Sequence, residues 1–185
     1  QWHALPENWE LLQYREFLEA RRVLIARVIQ KAYQSLSADK RGEFARAPAT
    51  IDQMVLNGES SYIEFKSTLR MNLHTGTKDP KMELAILRTI AGFLNTHGGT
   101  LMVGIADDGT ALGIGVDRFE NEDKMSLHLV NLIKDRMGPI FLPFIHMRFE
   151  EYKDNRVMVI ECTESKSPVY VKDGTIERFY IRTGP

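Results

Sequence analysis

The fold of the chain is decided by the stretch "MELAILRTIAGFLNTHGGTLMVGIADDG" (Met82–Gly109), in which a helical pattern gives way to a strand. Apolar residues recur at helical spacing as far as Leu94, which predicts an amphipathic helix over Met82–His97 that the glycine pair "GG" ends. The unbroken run "LMVGIA" predicts a buried strand, and "DDG" predicts a tight turn into a return strand, "TALGIGV". The helix and the strand each need a partner for burial, so we expect them to pack together.

The segments around this stretch complete an α+β pattern. A short helix capped by Thr50 precedes a strand over residues 62–67, and a long polar loop runs from there to Lys81. A second amphipathic helix is predicted over Glu120–Met137, and four strand-like runs follow it. This order of elements predicts an α+β domain with a mixed, mostly antiparallel sheet on which the two helices pack.

The first 49 residues form a separate pattern. Apolar residues keep helical spacing in "NWELLQYREFLEARRVLIARVIQKAYQSL", while Ser35–Thr50 has little periodicity and resembles a linker. We therefore predict a boundary near residue 50 between a helical segment and linker, 1–49, and a domain, 50–185. Because the chain starts without Met and stops just after a predicted strand, we expect a fragment of a longer, multidomain protein that is truncated at its C-terminal side.

Composition excludes several classes of protein. The net charge is −1, with 24 basic and 25 acidic residues, so any binding of nucleic acid must come from a local patch. Cys162 is the only cysteine, which excludes a disulfide framework and the usual structural zinc site and favours a cytoplasmic protein. No apolar run approaches the ~20 residues that span a bilayer, so no membrane partner is expected.

The strand in "ESSYIEFK" (Glu59–Lys66) carries an unusual charged face. Alternation places Glu64 and Lys66 on one face, opposite the apolar residues that face the core. A carboxylate and an amine at this spacing have the form of the (D/E)xK element of metal-dependent nucleases, in which the carboxylate binds Mg²⁺ or Mn²⁺ and the amine steadies a phosphate. Glu59 before the strand and Asp107 in the turn are further carboxylates that could converge there. The alternative is a solvated strand face and ordinary turn chemistry.

Three stretches together resemble the AlbA_2 domain of the Schlafen family: "GESSYIEFKSTLR", "ILRTIAGFLNTHGGTLMVGIADDGTALGI" and "ERFYIRTG". The resemblance covers about residues 55–185 and implies a nucleic-acid-binding domain. In Schlafen RNases the matching core holds a metal through three carboxylates, and the matching positions here are Glu59, Glu64 and Asp107. The chain departs from the family at Ala106, where another Asp is common, and it lacks the family's zinc finger and duplicated core. The resemblance therefore implies a homodimer in place of the duplication.

A second resemblance concerns the N-terminal segment. Residues 7–36 resemble the end of ParB-like domains from bacterial restriction systems, which implies a bacterial defence protein. The alternative is a connecting or dimerising helix, because a lone amphipathic helix must bury its apolar stripe against another surface.

These observations lead to one expected function and two alternatives. We expect a nucleic-acid-binding domain that acts as an Mg²⁺- or Mn²⁺-dependent endonuclease on RNA or DNA, with Glu59, Glu64, Lys66 and Asp107 as catalytic residues. The alternatives are a non-catalytic DNA-binding module of a transcription regulator, and an oligomerisation or sensor domain of a defence protein. The expected contacts to the nucleic-acid backbone are Lys66, Arg70, Lys78 and Lys81, with Arg88 as a further candidate.

Overall fold

The computed structural model describes residues 17–18, 21–23, 25–26, 28–30 and 50–184. The chain divides into two compact units, residues 1–49 and 50–185. In the first unit the described residues are helical, as the periodicity predicts. Four members of the predicted apolar stripe are exposed to solvent: Leu18, Ile25, Val28 and Ile29. The other members, Leu11, Tyr14, Ala32 and Tyr33, and most of the predicted linker lie outside the described residues.

The second unit is built on a four-stranded sheet. In chain order its elements are α1 (Ile51–Asn57), β1 (Ile63–Lys66), β2 (Met71–Asn72), β3 (Thr77–Lys78), α2 (Pro80–Leu94), β4 (Gly99–Val103), α3 (Glu122–Arg136), β5 (Ile145–Tyr152), β6 (Asn155–Cys162), β7 (Tyr170–Asp173) and β8 (Ile176–Phe179). The strand order is β1-β4-β6-β5, with β1 parallel to β4 and the other two pairs antiparallel. The predicted mixed, mostly antiparallel sheet is therefore confirmed.

Both long helices begin at side-chain caps. Asp79 accepts a hydrogen bond from the Lys81 amide (2.9 Å) ahead of α2, and Asn121 accepts one from the Lys124 amide (2.9 Å) ahead of α3. Helix α2 begins at Pro80, two residues before the predicted start at Met82. Its last residue is Leu94, three residues before the predicted end at His97, and Asn95 is the C-cap. None of the helices in the described part of the chain is long and apolar enough to cross a membrane.

The sheet buries a different cluster on each face. Leu101 and Val103 of β4 pack with α2 and α3 in the larger cluster, while Met102 between them packs with Phe65 and α1 in the smaller one. Residues that are paired across neighbouring strands point to the same face of the sheet. Glu64 of β1 is paired with Leu101 of β4 and therefore lies on the face that the long helices cover. The charged face of β1 is therefore turned toward the helices at the edge of the sheet.

The predicted return strand after the "DDG" turn does not form. A single bridge joins Ile105 to Ala111, and Ile114–Asp117 makes a 3-10 turn instead of a strand. The backbones of Gly104 and Gly113 cross here in close contact, and a Cβ on Gly104 would lie 2.9 Å from the carbonyl carbon of Gly113. Both glycines have positive φ angles, +97° and +73°, which turn the chain out of the extended conformation.

The predicted polar loop contains a short hairpin, β2–β3, that a buried carboxylate holds in place. Asp117 is fully buried and accepts hydrogen bonds from the amides of Leu69 (2.7 Å), Arg70 (2.8 Å) and Met71 (3.2 Å). Burial raises the pKa of Asp117, and the three amides and the charge of Arg70 act in the opposite direction. This carboxylate ties the base of the hairpin to the 3-10 turn.

An asparagine side chain fixes the C-terminal part of the chain on the helices. Asn95 donates to the carbonyls of Val169 and Tyr180 and accepts from the amide of Val169, each at 2.8 Å. These three bonds reproduce the pairing that a backbone would offer, so the segments on both sides of β7–β8 are attached at the end of α2.

Replacing Asp117 with Ala should lower the free energy of unfolding by about 2–4 kcal/mol, because three amides would lose their acceptor in a buried site. Urea unfolding followed by circular dichroism measures this change. Asp135→Ala, at an exposed position on α3, is the control and should change stability by less than about 0.5 kcal/mol. Equal stability of the two variants would contradict an anchoring role for Asp117.

Candidate functional site

The carboxylate of Glu64 lies between two cations. One oxygen accepts from Nζ of Lys66 and the other from Nη2 of Arg182 at 2.7 Å. The side chains of Glu64 and Arg182 are only 12% and 11% exposed. Burial by itself would raise the pKa of Glu64, but the hydrogen bonds and charges of Lys66 and Arg182 outweigh it and lower the pKa. Glu64 is thus held as a carboxylate with both oxygens engaged.

Arg182 closes the C-terminal segment onto the start of β1. Its guanidinium donates to the carbonyls of Ser60 (2.6 and 3.1 Å) and Ile63 (3.2 Å), and it lies 5.1 Å from the centre of the Phe93 ring. Sequence reasoning did not select this arginine, although it stands in the stretch "ERFYIRTG". Its partners are remote in the chain, and only the fold brings them together.

The other two carboxylates of the predicted metal site have different surroundings. Oε1 of Glu59 accepts from the amide of Phe65 at 2.9 Å, which places this side chain beside β1. Asp107 is exposed in the turn after β4. Among the residues that the structure describes, no group of three or more His, Cys, Asp or Glu side chains is arranged to hold a metal ion.

The donor atoms at β1 do not fit a three-carboxylate metal site as they are placed. Both oxygens of Glu64 face positively charged groups, and a cation would have to displace an ammonium or a guanidinium to reach them. The metal site of Glu59, Glu64 and Asp107 therefore stays a prediction.

The expected phosphate-binding residues fall into two groups. Lys66 and Arg70 are engaged by the protein: Lys66 binds Glu64, and Arg70 donates to the carbonyls of Asp117 and Arg118 at 2.9 Å. Lys78 and Lys81 are exposed, and their amines make no hydrogen bond or ion pair with any residue of the described ranges.

Arg118, which the sequence did not single out, lies against the hairpin that carries Lys78. It is exposed and adopts a left-handed backbone conformation (φ 53°), which directs the chain out of the 3-10 turn. Its guanidinium lies 3.9 Å from the position that a Cβ of Gly76 would take, so it stands against the tip of the β2–β3 hairpin. We call Lys78, Lys81 and Arg118 the basic hairpin surface.

The acidic neighbours of the basic hairpin surface have partners of their own. Asp79 accepts from the amide of Lys81 and the side-chain amide of Asn72 (3.3 Å), and these bonds, together with the charge of Lys81, lower its pKa. Glu83 lies 2.7 Å from Nε2 of His128. The lysine and arginine side chains of this surface are therefore available to an anionic partner from solution.

Comparison with known proteins identifies the family. The family described as "Schlafen, AlbA_2" matches residues 59–185, which confirms the resemblance found in the sequence. No curated protein matches the chain significantly.

Several solved structures are similar to the chain, among them the following two. One is the solution structure of the N-terminal domain of a RecG-related protein from Nitrosomonas europaea, with a TM-score of 0.48 and 20% identity over 71% of this chain and 84% of that one. The other is the DIP2311 protein from Corynebacterium diphtheriae, with a TM-score of 0.44 and 16% identity over 86% of this chain and 27% of that one.

Replacing Arg182 with Gln should lower the free energy of unfolding by about 2–3 kcal/mol at neutral pH, because charge-assisted bonds to Glu64 and two carbonyls are lost. Since the folded pKa of Glu64 is lowered, its pairing stabilises the fold above the ordinary pKa of 4.5 and is lost as the pH falls through the folded value. The difference between the parent and this variant should therefore shrink on acidification.

Urea unfolding at about pH 7 and about pH 3 measures both differences. Arg178→Gln, at an exposed position on β8, is the matched control and should have little effect at either pH. A difference for Arg182→Gln that does not depend on pH would show that Glu64 is not its stabilising partner.

Proposed function

The chain belongs to the Schlafen AlbA_2 family, and we propose that it binds nucleic acid through contacts between the basic hairpin surface and backbone phosphates. The observation that carries this proposal is the set of exposed cations Lys78, Lys81 and Arg118, none of which forms an ion pair with an acidic residue of the described part of the chain. The charge of Lys81 acts on Asp79 without such a contact. Lys and Arg contacts to phosphate supply most of the affinity in non-specific binding of nucleic acid.

The rigidity of the hairpin supports the same proposal. Asp117 fixes the residues that lead into β2, and Arg70 covers the ring of Phe119 at 3.4 Å while it bonds to the 3-10 turn. A cation on a fixed element loses less conformational freedom on binding than one on a flexible loop. Lys78, Lys81 and Arg118 would thus meet a phosphate backbone as a preorganised group.

The charge balance at β1 favours binding without a metal. Three clustered carboxylates would repel phosphate unless a cation lay between them, but Lys66 and Arg182 already neutralise Glu64. The polar face of β1 therefore does not oppose an approaching phosphate backbone. This is the reason that we place binding ahead of catalysis.

Lys78→Gln should weaken binding of a fluorescent oligonucleotide about three- to tenfold and reduce the slope of log K against log salt by about 1, because one phosphate contact is removed. Fluorescence anisotropy at several salt concentrations, with single-stranded and duplex RNA and DNA, measures both quantities. Comparison of the four oligonucleotides also tells which nucleic acid is preferred.

Lys166→Gln is the matched control, because it removes the same charge from an exposed lysine in the segment between β6 and β7. It should leave both the affinity and the salt slope close to those of the parent. The proposal is wrong if the two variants bind equally well, or if the parent binds none of the four oligonucleotides.

Metal-dependent cleavage of RNA or DNA stays a prediction, with Glu59, Glu64 and Asp107 as ligands and Lys66 as the group that offsets charge on the phosphate. Incubation of labelled RNA and DNA with Mn²⁺ or with EDTA tests it. Product that needs Mn²⁺ and disappears in Glu64→Ala would establish a nuclease. Equal cleavage by the parent and Glu64→Ala, or no cleavage at all, would leave binding alone as the function.

We further propose a homodimer and a place in a cytoplasmic bacterial defence or regulatory protein that carries further domains. The N-terminal helical residues expose apolar side chains, among them Ile25, Val28 and Ile29. Exposed apolar side chains of this kind support the association of two copies of the chain. Light scattering at micromolar concentration should give twice the mass of the chain, and Val28→Glu should reduce that mass. A monomer at all concentrations would contradict the dimer.

A further inference from the structure

We propose that a cavity between α2 and the C-terminal segment of residues 180–184 binds a phosphate group. The cavity has a volume of about 300 Å³, which lies at the lower end of the range for small-molecule sites. Its lining consists of Arg88, Thr89, Gly92, Tyr180, Ile181, Arg182, Thr183 and Gly184. None of these belongs to the basic hairpin surface, but Arg88 is also the further candidate for a nucleic-acid contact that the sequence offered.

The charge of the cavity points to an anion. Two arginines and no acidic residue stand in its lining. Within the described part of the chain, the one ion pair of Arg88 is a long contact of 3.9 Å to Asp173. Arg182 uses Nε and Nη2 for the bonds at β1, while Nη1 has no partner among the described residues. Arg88 therefore retains most of its donors for a ligand, while the charge of Arg182 is shared with Glu64.

Hydroxyl groups supply the remaining donors. The side chains of Thr89 and Thr183 make no hydrogen bond within the described residues, so both hydroxyls can donate to a ligand. A tetrahedral phosphate offers several acceptor oxygens, and guanidinium groups bind phosphate in a bidentate manner.

A glycine of α2 stands in the wall of the cavity. Gly92 lies in the middle of α2, and a Cβ there would be 3.6 Å from Cβ of Arg182, which is an ordinary van der Waals contact. The helix and the C-terminal segment are therefore closely packed at this side of the cavity. The cavity is larger than a phosphate ion, which leaves room for part of the group that carries the phosphate.

Isothermal titration calorimetry of the full chain with inorganic phosphate tests the site. Arg88→Gln should weaken phosphate binding about tenfold, because one of two guanidinium groups is lost while the partly exposed position tolerates the change. Lys134→Gln, which removes the same charge from an exposed position on α3 outside the cavity, is the control and should bind like the parent.

Equal affinity of the two variants, or no heat of binding to the parent at up to about 10 mM phosphate, would overturn the proposal. Two further arms identify the source of the phosphate. Tighter binding of adenosine 5′-monophosphate than of adenosine, lost in Arg88→Gln, would indicate a mononucleotide. The other possible result is that only a 5′-phosphorylated oligonucleotide binds more tightly than its unphosphorylated form, and that Arg88→Gln loses this difference. That result would indicate that the site binds the 5′ end of a nucleic-acid strand.

Discussion

The basic hairpin surface depends on one buried carboxylate. Asp117 has no access to solvent and holds three consecutive amides at the base of β2–β3. A buried charge is unfavourable unless hydrogen bonds satisfy it. The three amides satisfy the Asp117 carboxylate, and the same bonds attach the base of the hairpin to the 3-10 turn. Arg70 then bonds to the carbonyls on the other side of the 3-10 turn. This buried network therefore helps to position the exposed cations of the basic hairpin surface.

At β1, on the edge of the sheet, residues with the pattern of a nuclease element make structural contacts. Glu64 and Lys66 match the pattern of a nuclease element, yet in the fold they form an ion cluster with Arg182, which also bonds to two carbonyls before and at the start of β1. A cation that displaced Arg182 from Glu64 would leave the guanidinium without its carboxylate partner at a position where its side chain is only 11% exposed. A metal at Glu64 would therefore compete with the attachment of the C-terminal segment, which makes a structural role the simpler account of this carboxylate.

The sequence predicted the features that depend on local pattern. The apolar periodicity of α2 and α3 and the run before the turn place the helices and β4, but the ends of these elements differ. The helix ends differ because the caps Asp79 and Asn121 lie outside the apolar pattern, and β4 ends at Val103, three residues before the end of the predicted run. The features that were missed depend on contacts between remote segments. The crossing at Gly104 replaces the expected return strand, and the partners of Asp117 and Arg182 are far away in the chain. The local signal for the anchoring carboxylate was the position of Asp117 directly after an apolar stretch, in "LGIGVDRF".

The most direct test of the account is a map of the residues that contact nucleic acid. Amide resonances of the ¹⁵N-labelled chain can be followed while a short oligonucleotide is added. The account predicts that the largest shifts fall on residues 72–81 and on Arg118 and diminish as salt is raised, since phosphate contacts are screened. Shifts confined to other parts of the chain, or no shifts at saturating oligonucleotide, would contradict it.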